Sequence, residues 1–403
     1  MKGIRQFLLS IIYILSSIAC FSQSDLVYRI GLILPLQTHN SIEKLDAFSN
    51  AHDYHTASRI HLEDDVAISL NFYEGVLQAL NESKDSFTVE LSVYDNMNDD
   101  SVTSEILKKG ELKKLDIIIG SVTTSSAKLV ADYCKRNHII NIQPFTPSKS
   151  LTTENPYHLK LAPTIDAHVE TLFNAIVDSF VGSNVIIYTP DAEQSKGVAA
   201  QFDSLFAAYN RTASQKFSVA LLNTKNMLLN GKKTSAREQL KAGKPNVLIL
   251  TSFEESFVNG TLRVLFSDLE KYNIVVFGMP TWLKGEILRL DYVNDFATRI
   301  SDAFYVDTAK TATRNLITNY TTAFHAEPTK YSYLGYDVMN FTLKSLGEYG
   351  KDFLNHISTQ RYSGTAYKFD IMKDLKNDSV INYLENRHVN VFKVQDYELR
   401  KVW

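Results

Sequence analysis

The chain has 403 residues, 44% of them hydrophobic and 22% charged, and carries a formal net charge of −3. Such a composition describes a globular protein with ample core material, and the length exceeds what one core usually supports, so two domains are expected. A slight negative charge without any Lys/Arg-rich block argues against a nucleic-acid partner.

At the N-terminus, Lys2 and Arg5 precede an apolar run from Phe7 to Ala19. This run is shorter than the ~20 residues that span a bilayer and reads as a secretory signal over residues 1–22. Small residues at Cys20 and Ser22 place the cut before Gln23 and the mature chain in the periplasm. A rival reading makes Cys20 the lipid-bearing first residue of an outer-membrane lipoprotein, against which Ser17 stands where Leu is usual. No second long apolar stretch follows, so no membrane span is expected after signal removal. With Cys20 gone, Cys134 is the only thiol, which excludes an internal disulfide. Its place on the apolar side of a helix reads as a small buried hydrophobe and not a nucleophile.

Tyr28 to Leu34 reads as a strand, and Val66, Leu70, Tyr73, Leu77 and Leu80 form a helical stripe at 4,3,4,3 spacing. Between them, Gln37 to Glu63 is polar and irregular, and it holds His39, His52, His55 and His61. Without flanking Cys or a helix to fix them, these imidazoles read as solvated loop residues, and no metal is expected. Strands follow at Val89–Val93, Leu115–Ile119 and Ile139–Ile142, with a helix face of Ala127, Val130, Ala131 and Cys134 between the last two. The continuous apolar runs suit buried parallel strands. A helix with Val169, Leu172, Phe173, Ile176 and Phe180 inward then opens a second series of strands at Val185–Tyr188, Phe217–Leu221, Val247–Leu250 and Ile274–Phe277. A helix carrying Val258, Leu262, Leu265, Phe266 and Leu269 lies within that series. The pattern is α/β, with two doubly wound parallel-sheet lobes in tandem and a candidate crossing at Leu161–Thr164.

In open parallel sheets, ligands sit where strand carboxyl ends meet helix N-termini. Gly120 to Ser126 is a run rich in hydroxyls at a helix start, in which Thr123 or Thr124 is the expected cap and Ser125 and Ser126 are candidate anion contacts. After Ile142, two prolines stiffen a loop whose polar candidate is Thr146. The second series offers Tyr188, Thr251 and Trp282, with Asp191, Glu254 or Glu255 as acids for a cation, although such acids also decorate helix starts without binding anything. No Gly-x-Ser-x-Gly elbow, phosphate-binding loop, dinucleotide motif or His-Glu-x-x-His pair occurs, so neither an enzyme nor a cofactor is expected.

The order of YRIGLILPL from Tyr28, LSVYDN from Leu91, LDIIIGS from Leu115, the stretch Ile142–Thr164 and YSYLGYDVMNFTLKSL from Tyr331 resembles the type I, leucine-binding-protein-like periplasmic binding family. FYEGVLQAL from Phe72, ILKKGELKKLDIIIG from Ile106 and MPTWLK from Met279 look closer still to the binding-protein-like domains that follow LysM modules in Bacteroidetes. The resemblance implies interleaved lobes, residues 27–163 plus 308–349 and residues 164–307 plus 350–403, joined by a three-crossing hinge. It also implies that Ser125, Ser126 and Thr146 hold a ligand carboxylate while Tyr188 and an acid face them, although Ser121 replaces the proline common after that glycine. The expected partners are a small-molecule ligand (amino acid, peptide or cell-wall fragment) and a membrane permease of ABC type, or, for an envelope scaffold with a vestigial cleft, proteins of peptidoglycan synthesis.

Overall fold

The computed structural model describes residues 26–49, 62–224, 228–229, 232–233, 235–283, 289–357, 361–377 and 379–403. The signal segment, Cys20, His52, His55 and His61 lie outside them. The chain divides into two compact units: residues up to Ala162 with Tyr305–His388, and Pro163–Phe304 with Val389–Trp403.

In the first unit, β1 (Val27–Leu34), β2 (Thr88–Asp95), β3 (Ile117–Gly120), β4 (Ile140–Gln143) and β5 (His158–Lys160) pair in parallel, in the spatial order β5-β4-β3-β1-β2. The β-branched runs form strands because both faces are covered, and Ile30, Leu32, Ile33 and Ile117–Ile119 are fully buried. Beyond β5 the sheet continues with strands from the end of the chain, β13 (Arg361–Ser363), β14 (Lys368–Lys376) and β15 (Val380–Asn386). This corrects the expected lobe boundary, since residues 350–388 belong to the first unit. The reason is a parallel pairing of β15 on β5, Leu384 beside Leu159 and Glu385 beside Lys160, while β13–β14 and β14–β15 run antiparallel.

Part of the segment expected to be irregular is helical, α1 (Thr38–Ser49). On one face of the sheet, α2 (Asp64–Glu82) crosses the long helix Lys330–Tyr349 at backbone distance. A Cβ on Gly75 would lie 2.0 Å from the Ser332 carbonyl oxygen, and one on Gly335 would lie 2.0 Å from that of Phe72. α3 (Asp100–Lys108) and α4 (Thr124–Asn137) take the other face, where Ile33, Ile106, Ile118, Val130 and Cys134 pack together.

The second unit repeats the plan. Its sheet has the order β17-β16-β12-β11-β10-β6-β7, with β6 (Asn184–Thr189), β7 (Ser218–Asn223), β10 (Asn246–Leu250), β11 (Ile274–Phe277) and β12 (Arg299–Asp302) parallel. The terminal strands β16 (Asn390–Gln395) and β17 (Glu398–Lys401) add antiparallel at one edge. β8 (Leu228–Leu229) and β9 (Lys232–Lys233) make a separate short hairpin. Both sheets are therefore mixed and mostly parallel. Among the described residues, no helix is long and apolar enough to cross a membrane.

Candidate functional site

In the first unit the carboxyl ends of β1 to β4 share one edge, and three polar side chains, one half-buried and two fully buried, hold its loops in place. Asp95, ending β2, accepts hydrogen bonds from the amides of Leu36, Gln37, Thr38 and Met97 at 2.9–3.1 Å and from the Thr38 hydroxyl at 3.0 Å. It thus fixes the turn after β1. Asn96 is fully buried and donates to Thr103 Oγ1 and Ser121 Oγ, at 3.0 and 3.1 Å, which ties the ends of β2 and β3 to the start of α3. Gln143, ending β4 and fully buried, donates Nε2 to the Ser121 carbonyl at 3.0 Å, while its Oε1 accepts from the amides of Phe145 (2.9 Å) and Thr146 (3.4 Å). One amide side chain thereby joins the two hydroxyl-bearing loops. Motif reading passes over all three residues because each looks like an ordinary polar strand terminus. Their signal is the position itself, a polar side chain at or just past the end of a strand.

Among the expected contacts, Ser125 is exposed in the first turn of α4, and Thr146 is buried with its hydroxyl 3.2 Å from that of Thr124. Phe145 beside it packs on Phe72, ring centroids 4.8 Å apart. Thr123 takes the position preceding α4, but its hydroxyl makes no capping bond. The expected cap is thus missing, because the Thr124 hydroxyl meets Thr146 instead, and the first-turn amides keep their partial positive charge without a side-chain acceptor. Ser126 departs from expectation: it is fully buried, donates to Asp100 Oδ1 at 2.7 Å and receives the Thr103 hydroxyl at 3.2 Å. Its hydroxyl is therefore engaged inside the unit.

In the second unit, Tyr188 at the end of β6 is partly exposed and packs on Phe257, centroids 5.1 Å apart, and burial raises its phenol pKa. Thr251, just past β10, is fully buried, and its Oγ1 has no protein partner. Trp282 is 4% exposed and belongs to the core of the unit. Its Nε1 donates to the Ser252 carbonyl at 2.9 Å, and its ring occupies the space that a Cβ on Gly278 would take. The indole was expected to cover a ligand, and instead it packs over its own strand–loop junction. The acid Asp191 sits 3.2 Å from Lys196, which also meets Glu193, so its charge is already countered.

Among the described residues, no group of three His, Cys, Asp or Glu side chains is arranged to hold a metal ion. Cys134 is fully buried, and burial pushes its thiol pKa up, the opposite of a reactive thiolate.

The comparisons fit this architecture. No curated protein matches the chain. Among solved structures, a protein from Rhodospirillum rubrum described as a branched-chain amino acid ABC transporter is similar at TM-score 0.64 and 13% identity, over 94% of this chain and 100% of that one. A substrate-binding protein of an ABC transporter from Desulfitobacterium hafniense, solved with Leu, has TM-score 0.53 and 12% identity over 93% and 100% of the two chains. A solute-binding protein from Rhodopseudomonas palustris, solved with 3,4-dihydroxybenzoic acid, has TM-score 0.52 and 13% identity over 93% and 96%. At these identities the likeness is one of fold. The model of a family described as "Periplasmic binding protein" matches residues 74–362. That family is one of binding proteins and not of enzymes, and the chain belongs to it.

Proposed function

We propose that the protein is an exported solute-binding component of an ABC-type uptake or sensing system, which captures a small carboxylate-bearing molecule. The observation that carries this reading is the first-unit edge, where Gln143 holds the Ser121–Ser126 and Phe145–Thr146 loops together. There the exposed Ser125, the paired Thr124 and Thr146 hydroxyls and the uncapped first turn of α4 form a donor-rich surface suited to a carboxylate. In the second unit, Tyr188 packs on Phe257 and offers an aromatic face near the end of β6. Leucine and a dihydroxybenzoate occupy similar structures, so branched-chain amino acids and aromatic acids are the first candidates.

A thermal-shift screen tests this reading with L-leucine, L-isoleucine, 3,4-dihydroxybenzoate, short peptides and muropeptides. A ligand present at 100 times its Kd stabilises by about 2.7 kcal/mol, which is readily seen as a rise in Tm. A flat response across the panel counts against capture. The second reading is an envelope scaffold related to the LysM-associated domains and partnered by peptidoglycan-synthesis proteins. It is favoured by the engagement of Ser126 and Trp282 within their own units. Its mark is co-purification with wall enzymes by a protein that binds none of the panel.

A further inference from the structure

Strands β4, β5 and β15 carry an unusual face. His158 and Lys160 alternate with Leu159 on β5, Glu385 stands beside Lys160 in register, and Asn141 stands beside His158. All four are buried, and Lys160, His158 and Asn141 have no exposed surface at all. Asn141 donates Nδ2 to the carbonyls of Ile118 and Gly120, so its Oδ1, 2.7 Å from His158 Nδ1, is the acceptor of that pair. The proton of His158 is thereby placed on Nδ1, and Nε2 is left as a bare acceptor. Glu385 gives one oxygen to Arg387, and its Oε2 has no protein partner. The Lys160 ammonium lies 3.9 Å from the centroid of the Tyr383 ring and donates to no protein atom.

Three unpartnered buried atoms thus share one sheet face: one donor, Nζ, and two acceptors, Nε2 and Oε2. Each such atom loses its hydration on burial without compensation, at a greater cost when charged, unless something bonds it. The complement of one donor and two acceptors is a molecule that accepts once and donates twice. We propose that Lys160 Nζ, His158 Nε2 and Glu385 Oε2 enclose a permanent internal water site. A small anion is disfavoured, because the Glu385 carboxylate beside Lys160 in register, and that of Asp374, already act on the Lys160 charge. The site has a structural consequence. β5 runs into the chain passage at Ala162–Pro163 and β15 into the one at His388–Val389, so the water joins the roots of both passages. The Asn386 amide ties the same two segments directly, donating to the Leu161 carbonyl at 3.2 Å.

The test is a crystal structure of the full mature chain, and of Lys160→Met, at a resolution that orders internal water. The expected result is a water within hydrogen-bond distance of Nζ and of Nε2 or Oε2 in the wild type, displaced in Lys160→Met. A direct Lys160–Glu385 ion pair with no water in reach would overturn the proposal, as would a water that keeps its place in Lys160→Met. The wild-type result stands alone if the variant fails to fold.

Discussion

Gln143 and His158 are one strand apart in the first unit, and both are fully buried polar side chains whose consequences are measurable. Gln143→Leu keeps the volume but leaves the Phe145 and Thr146 amides and the Ser121 carbonyl without their partner. A loss of about 2 kcal/mol is expected, together with faster amide hydrogen exchange at residues 121–126 and 145–146. Unchanged exchange there would remove Gln143 as the organiser of the edge. His158 is held neutral, with its pKa pushed down to about 3 by burial first and by the Lys160 charge second. In the unfolded chain the ring takes up a proton below its ordinary value of 6.5. Stability is therefore intact above pH 6.5 and falls as the pH drops from 6.5 toward 3, by up to about 1.4 kcal/mol per pH unit. His158→Gln should flatten the decline in Tm between pH 6.5 and 4, and an unaltered slope would reject the assignment. At this scale the sequence was informative about residue type and position but not about direction. Ser125, Ser126 and Thr146 read alike as hydroxyls beside an edge, yet only burial reveals that Ser126 turns inward to Asp100. Trp282 shows the same limit, since an indole after a strand end looks identical in sequence whether it faces outward or closes over Gly278.

The elements followed the hydrophobic period closely. The stripe from Val66 to Leu80 lies within Asp64–Glu82, and the apolar runs at Val247–Leu250 and Ile274–Phe277 fall on β10 and β11. The chain end was illegible because β14 and β15 are partly exposed, with polar and apolar residues interspersed, and the pairing of β15 with β5 spans more than 200 positions. No local pattern announces such a partner. A buried side chain secures this return: Asp337, in the helix Lys330–Tyr349, accepts from the amides of Thr365, Ala366 and Tyr367 and from the Thr365 hydroxyl at 2.8–3.0 Å. Burial pushes its carboxyl above the usual range while these bonds act in the opposite direction. Asp337→Ala strands three buried amides and should cost about 3 kcal/mol or more, read as a lowered denaturation midpoint. A loss below about 1 kcal/mol would show that the 364–367 turn is held by other contacts. The helix pair beside it depends on two glycines. Gly335→Val places a side chain against the Phe72 carbonyl and should destabilise by about 3 kcal/mol, whereas Gly110→Ala, with open space around its Cβ, should change the midpoint little.

For the whole molecule, the sequence supported two α/β units, and the family match over residues 74–362 agrees with the motifs that suggested it. The interleaving of the units was reachable only through the resemblance, because strand order is a long-range property that no window of sequence contains. What the first-unit edge binds is the central claim: its donor-rich surface selects a small carboxylate. Isothermal titration of the mature protein with 3,4-dihydroxybenzoate, L-leucine and L-isoleucine, repeated with Ser125→Ala and Thr146→Val, tests it most directly. The account predicts saturable one-site binding of at least one of these acids, weakened about tenfold or more by each substitution. Absence of heat from all three, or binding untouched by both substitutions, would contradict it.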